Sequence, residues 1–431
     1  MKREQALPAR ARVVVVGGGV VGCSTAYHLA KRGWTDVVLV ERKRLTSGTT
    51  WHAAGLITQA RPTYGTREIV RRSLRVFRTL EEETGFATGF ERTGTLHLAD
   101  GAERLEELLR QASAARANGI TAEPISPEQA VGLFPPLYAG DLAGAVYYPD
   151  DGRGNATDTT MALAAGARQH GVRIAENTTV TGVTRRDGCV TGVTTEHGDI
   201  EAEYVVAAAG MWGREFGALA GVGIPLQALA HYYVVTEPIP GLRPGLPTIK
   251  TAPDYAYVKN EGAGLMVGFF EPGSYPWASR GIPADAEFTR LPEDWDHLGP
   301  FYENMMKRLP VLADTGIRLH FCGRRASPRT ASTISARPPD YATASSPPGS
   351  TRSASCPARG PARSWPTGSW TGARRSTCPR PIRAGPPRTR PTGASSSSAL
   401  PRPWTSPTRS TGPTSSAPAS AGCAAARCTT G

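Results

Sequence analysis

The chain has 431 residues, with 49 Lys plus Arg against 37 Asp plus Glu and a formal net charge of +12. That length suits two or three domains with ample material for a core, and the charge is uneven. Up to Gly323 there are 33 basic and 36 acidic side chains, whereas 324–431 hold 16 Arg, no Lys and one acid, Asp340. The basic excess therefore belongs to the tail and gives the body no nucleic-acid-binding character. Seven Cys without metal-ligand spacing read as reduced thiols, so no metal is expected. The basic start runs straight into a strand rather than a signal segment, and no apolar run is long enough to span a membrane. A cytoplasmic location is the expectation.

Val13 to Val16 form an unbroken β-branched run that suits a strand buried on both faces. Gly17, Gly19 and Gly22 follow at G-x-G-x-x-G spacing. The first glycine permits the turn, the second lets backbone amides approach a pyrophosphate, and the third lets the next helix pack on the strand. That helix is expected over 23–32 and stops at Gly33. Val37 to Val40 make a second strand, and Glu41 at its end can accept hydrogen bonds from an adenosine ribose. A dinucleotide site follows from this order of elements, but FAD and NAD present the same diphosphate and the glycines do not separate them.

The next segment, 47–56, is a small polar loop carrying two bulky rings, Trp51 and His52. Helices are expected over 67–84, 103–118 and 161–171. Strands are expected over 93–99, 144–148, 172–175 and 177–183, with a hairpin turning near Asp187-Gly188 and a further strand over 226–236.

Four segments carry a resemblance to the flavin-dependent dimethylglycine and sarcosine dehydrogenases of the D-amino-acid-oxidase-like superfamily. They are TSGTTWHAAGL (46–56), TDTTMALAAGARQHGV (157–172), VVAAAGMWGREFG (205–217) and GFFEPGSYPWASRGIP (268–283). The resemblance spans residues 10–323. It implies an α/β protein in which a Rossmann-like FAD-binding domain of discontinuous segments (8–90 and 146–222) receives an inserted, mainly antiparallel β substrate domain (91–145 and 223–323).

It also implies FAD, held by Gly17, Gly19, Gly22, Glu41, Thr49, Thr50, Trp51, His52, Gly55 and Leu56. Val180 would border the adenine, and Gly210 with Trp212 would lie near the cofactor, where a small residue allows close approach. His52 matches the histidine that the family bonds to the flavin 8α methyl carbon. The reaction implied is oxidative N-demethylation of a small secondary or tertiary amine such as sarcosine or dimethylglycine. His231 and Tyr257, with Tyr255 as runner-up, match the residues that would accept the amine proton and orient the substrate. A histidine near its ordinary pKa suits the first task. Another amine or a hydroxy acid remains open as substrate, since nothing in the sequence fixes side-chain selectivity.

Residues 324–431 contain 18 Pro, one Leu and no Val, Phe or Met, and cannot build a core. A disordered basic arm, a flexible linker and an out-of-frame translation of a GC-rich gene all fit such a composition. Taking the third base of each codon with the first two of the next lets Gly323 to Pro339 read PESFTPDGEYxLGEAP. Residues Ser345 to Trp370 read VAAGFNSIGILSSEGAGEVLADWIV in the same frame. The frameshift is the favoured expectation, and it would leave an inactive remnant as the alternative function. The basic arm lacks the aromatic interleaving that stacks bases.

Overall fold

The computed structural model describes residues 7–328. β1 (Arg10–Val16), α1 (Val20–Lys31) and β2 (Val37–Val40) form the opening βαβ unit. Val14, Val15 and Leu39 are fully buried, each contributing about 1.5–3 kcal/mol of apolar burial. α1 starts three residues before expectation because it springs directly from Gly19, and its first amide, Val20 N, donates to Thr50 Oγ1 at 3.2 Å. Gly33, at φ +86°, closes the helix by donating to the Ala30 carbonyl at 2.8 Å.

The short β3 (Leu56–Ile57) leads into α2 (Tyr64–Thr84), which Thr63 caps and left-handed Gly85 ends. β4 (Thr95–Ala99), α3 (Ala102–Arg116), β5 (Glu123–Ile125), α4 (Pro127–Leu133) and β6 (Gly144–Tyr148) follow. After β7 (Gly152–Arg153) the chain forms α5 (Ala156–Gln169), β8 (Arg173–Ala175), β9 (Val180–Arg186), β10 (Cys189–Thr195) and β11 (Gly198–Ala207). The β9–β10 hairpin turns on Asp187 and Gly188, both at positive φ, as expected.

Six strands stack in the order β8-β2-β1-β11-β10-β9. The β8, β2, β1 and β11 pairings are parallel, with the β9–β10–β11 meander antiparallel at one edge. Helices α1 and α5 cover one face, with Cys23, Ala26, Tyr27, Ala164 and Ala167 packed against Val13, Val15 and Leu39. This is the open α/β arrangement in which ligands bind beyond the carboxyl ends of the strands.

The remainder comprises α6 (Gly213–Leu219), β12 (Leu226–Thr236), β13 (Thr248–Thr251), β14 (Ala256–Glu261), β15 (Gly264–Phe269), β16 (Pro276–Trp277), α7 (Trp295–Arg308) and β17 (Ile317–Pro328). The second sheet has nine strands in the order β16-β12-β15-β14-β13-β4-β6-β5, with β17 paired to β12. It is mainly antiparallel; only β13 and β4 run parallel. One face buries Phe134, Val234, Val258, Leu265, Val267, Phe269 and Leu298 under α4 and α7. The other face looks toward the Trp51 loop. β6 lies wholly in this sheet, although the expected domain boundary fell at residue 146.

β17 runs past Gly323 and keeps its register on β12 as far as Pro328, because backbone pairing does not depend on which side chains follow. The side chains fit less well. Arg324 is fully buried, donates from Nη2 to the Thr289 carbonyl at 2.8 Å and lies 4.7 Å over Trp277, while its Nε and Nη1 have no acceptor. A buried charge with unmet donors is costly. Arg324→Met is expected to stabilise the fold by at least about 1 kcal/mol, read as a rise of about 2–4 °C in Tm; a lower Tm would show that the guanidinium is needed there. The tail from residue 329, including the expected frame-shifted and disordered stretches, lies outside the described residues.

Candidate FAD and amine site

A cleft of about 300 Å³ opens beyond the carboxyl ends of β1 and β2. Gly17, Gly19, Glu41, Thr49, Thr50, Val180, Gly210 and Trp212 line it, eight of the thirteen positions expected to touch the cofactor. Glu41 is buried, and its two carboxylate oxygens accept from Gly18 N at 2.6 Å and Lys43 N at 3.0 Å. Burial raises its pKa, and the two amides work in the opposite direction. Arg42, whose guanidinium lies 4.7 Å over Trp212, also lines the cleft. Its position directly after Glu41 was the only signal for it in the sequence.

Gly22 is not in the cleft. A Cβ there would stand 1.8 Å from the Gly17 carbonyl oxygen, so its role is to let α1 lie against the turn. Gly55 also departs from expectation. It sits at φ +72°, where a Cβ would meet the Gly154 carbonyl at 1.9 Å, and its own carbonyl accepts from Gly154 N. It fixes the loop to β7 rather than lining the cleft.

Trp51, Ala54 and Leu56 instead pack on the second sheet, against Tyr233, Val235, Tyr257, Met266 and Phe321. His52 lies between Trp51, at a ring-centroid distance of 5.3 Å, and Phe321, at 5.4 Å. A Cβ on Gly323 would be 2.8 Å from His52 Nδ1, so the bare backbone of β17 is what admits the imidazole. Desolvation, then the charge of Arg324, lowers the His52 pKa to about 4. The ring is neutral at pH 7, and its buried Nε2 has no partner, nor do the indole nitrogens of Trp51 and Trp212. A cleft lined by Thr49, Thr50 and Trp212, with the buried, unpartnered ring nitrogens of Trp51 and His52 next in the chain, fits a large, partly polar aromatic cofactor.

His231 lies directly across from Gly323 in the β12–β17 register, so His52 and His231 meet over the same glycine. Tyr257 is fully buried on β14 and lies across Gly268, where a Cβ would come within 2.2 Å of its hydroxyl. Phe270 links the two, with ring centroids 5.9 Å from His231 and 5.1 Å from Tyr257. Burial raises the Tyr257 pKa, and the phenol stays protonated. Tyr255, the runner-up, is exposed in the turn before β14 at φ +51° and is not brought to this face.

The expectation that His231 sits near its ordinary pKa is overturned. Desolvation, then Arg325 and His52, pushes it down to about 3. It is a neutral hydrogen-bond acceptor throughout the physiological range, not a store for a full proton.

Sequence reasoning missed a second polar group on this face. Lys250, Thr58, Gln59, Asp151 and His97 gather where β4 and β13 meet the segment after β3. Asp151 is fully buried, and desolvation raises its pKa to about 7 despite two hydrogen bonds from Gln59. No group of His, Cys, Asp and Glu among the described residues could hold a metal ion, and no described helix is long and apolar enough to cross a membrane.

Comparison with known proteins gives the family. The chain is 40% identical over 326 residues to human mitochondrial sarcosine dehydrogenase, covering 74% of this chain and 35% of that protein. It is equally similar, 40% over 310 residues, to the mouse mitochondrial pyruvate dehydrogenase phosphatase regulatory subunit, covering 71% and 35%. The chain thus spans about a third of the length of these relatives. The crystal structure of L-proline dehydrogenase from P. horikoshii superposes with a TM-score of 0.70 at 26% identity, covering 79% of this chain and 87% of that one. The model of the family described as FAD dependent oxidoreductase matches residues 12–353, thirty residues beyond Gly323. With a dinucleotide cleft, a mainly antiparallel second sheet and this match over most of its length, the chain belongs to the DAO family of FAD-dependent oxidoreductases.

Proposed function

We propose that the chain oxidises a small secondary or tertiary amine, such as sarcosine or dimethylglycine, by oxidative N-demethylation. The observation that carries this reading is the meeting of His52, His231 and Tyr257 on one face of the second sheet, opposite the loop that leaves the nucleotide cleft. FAD, when bound, supplies the acceptor for a hydride from the substrate carbon. The chain's own residues handle the amine.

Hydride leaves only when the nitrogen lone pair is free to assist, so the amine must be held deprotonated. A neutral His231 accepts a hydrogen bond from the N–H of a secondary amine, and the proton lost from the substrate ammonium passes to solvent. Tyr257, protonated and fixed across Gly268, donates to the substrate and orients it. Phe270 walls the space between them.

His52 is assigned as the covalent anchor of the flavin, because a neutral, buried imidazole with an unpartnered nitrogen suits that role. Acid precipitation of the purified protein is expected to give a yellow pellet, and His52→Ala a colourless one. A pellet that stays yellow in the variant would remove His52 from the role. Turnover with sarcosine, dimethylglycine and a panel of amines and hydroxy acids tests the substrate class; oxidation of hydroxy acids alone would overturn it. The reading places the protein in the cytoplasm, which cell fractionation checks.

A second reading is favoured by the unmet donors of Arg324 and by the tail composition. On it, the gene shifts frame near Gly323 and this product is a remnant without activity. Re-sequencing across the codons for Gly323 and Arg324 decides it, since an intact frame in several isolates would sink it.

A further inference from the structure

Residues 278–291 join β16 to α7 with no helix or strand of their own. Both ends are fixed to the second sheet: β16 pairs with β12, and Leu291 N donates to the Cys322 carbonyl on β17 at 2.9 Å. Between those ends the chain crosses to the nucleotide half, where Ile282 and Ala284 form part of the cleft wall. All other described residues that line the cleft lie at or before Leu219. This crossing is therefore where the substrate half closes the cofactor's cleft.

Few contacts hold it there. The Arg42 guanidinium donates to the Ala284 carbonyl, Arg44 Nε pairs with Glu287 at 2.8 Å, and Phe288 N donates to the Ser47 carbonyl at 3.1 Å. The Phe288 ring meets Trp51 at a centroid distance of 5.7 Å, with the Arg44 guanidinium 5.2 Å above it. The Arg44 side chain is 65% exposed, so its ion pair is screened and holds weakly. Of residues 278–291 only Ala286 is buried. Ala278 and Phe288 bracket the crossing at φ +51° and +46°, a left-handed conformation that is unfavourable for a residue with a β-carbon. Low apolar burial, exposed polar latches and strained ends make a segment that opens locally at far less cost than unfolding.

We propose that residues 279–288 are a strap that closes over FAD, and that FAD enters the cleft only when the contacts of Arg42 and Arg44 with this strap let go. The strap also couples the two halves. Its Phe288 end packs on Trp51, the chain neighbour of His52, so the closure that covers the nucleotide also fixes the loop presented to the second sheet. The inference concerns the cofactor and holds whichever amine the flavin oxidises.

The test uses the full chain from riboflavin-starved cells, purified without flavin, and follows FAD uptake by the quenching of flavin fluorescence. Arg44→Glu turns the ion pair with Glu287 into a repulsion, and uptake is expected to be about 5-fold faster, even though the added negative charge near the cleft would by itself slow an anionic ligand. Adding Glu287→Arg to that variant restores the pair with reversed signs and should return the rate to that of the wild type. Unchanged or slower uptake in folded Arg44→Glu overturns the inference. Hydrogen exchange of the wild-type protein gives a second measurement that needs no variant. The backbone amides of 279–290 are expected to exchange at least about 10-fold more slowly once FAD is bound, and equal exchange with and without FAD overturns the inference, as does a chain that takes up no FAD at all.

Discussion

Gly22→Ala is expected to strip FAD from the protein. The added Cβ would stand 1.8 Å from the Gly17 carbonyl oxygen, and both partners are backbone in the same turn, so no rotamer change relieves the clash. α1 would have to lift from β1, carrying with it the amides of the helix start that face the cleft. Overpacking of this kind costs about 3 kcal/mol or more. If that cost falls on the bound state, FAD affinity drops by at least about 100-fold. The measurement is the ratio of visible flavin absorbance to protein absorbance after purification. Gly132→Ala, where nothing lies within 4 Å of an added Cβ, is the control and should keep the wild-type ratio. Full flavin occupancy in Gly22→Ala would mean that the turn is not the phosphate site.

His231→Asn is expected to slow flavin reduction by about 10-fold, the worth of one well-placed hydrogen bond to the substrate. The pH profile gives a sharper reading than the size of the loss. With a pKa of about 3, His231 is unprotonated from pH 4 upward, so its acceptor role is intact across the working range and is lost only below it. The rate of reduction should therefore rise with pH as the substrate amine deprotonates, with no separate ionisation near pH 6.5. An acid limb at 6.5 that disappears in His231→Asn would show a base of ordinary pKa and contradict the structure.

The nucleotide half was legible because its determinants are local. Gly17 to Glu41 is one supersecondary unit whose turn sterics and burial are written in consecutive residues. β6 and β12 match expectation to the residue, since each is bounded by turn formers and built from β-favouring side chains. α2 and α5 were read three and five residues short at their starts, because polar first turns hide the apolar period, and α1 three short because it begins at the glycine turn itself.

What escaped the sequence depends on register between distant strands. Nothing near Gly268 announces that a tyrosine from another strand lies across it, and nothing near Gly323 announces the ring of His52. Gly55 has the composition of a cofactor loop, but its backbone crosses Gly154. The depressed pKa of His231 follows from enclosure by β17 and Phe270, which the alternation along LQALAHYYVVT does not reveal. Lys250 went unnoticed in the short strand TIKT for the same reason.

The central claim is that this fold delivers an amine to FAD between His231 and Tyr257. Anaerobic mixing of the purified, flavin-loaded protein with sarcosine or dimethylglycine tests it most directly. Bleaching of the visible flavin band by at least one of them is the expected result. A flavin that stays oxidised with both, in a protein that retains its full complement of FAD, would contradict it.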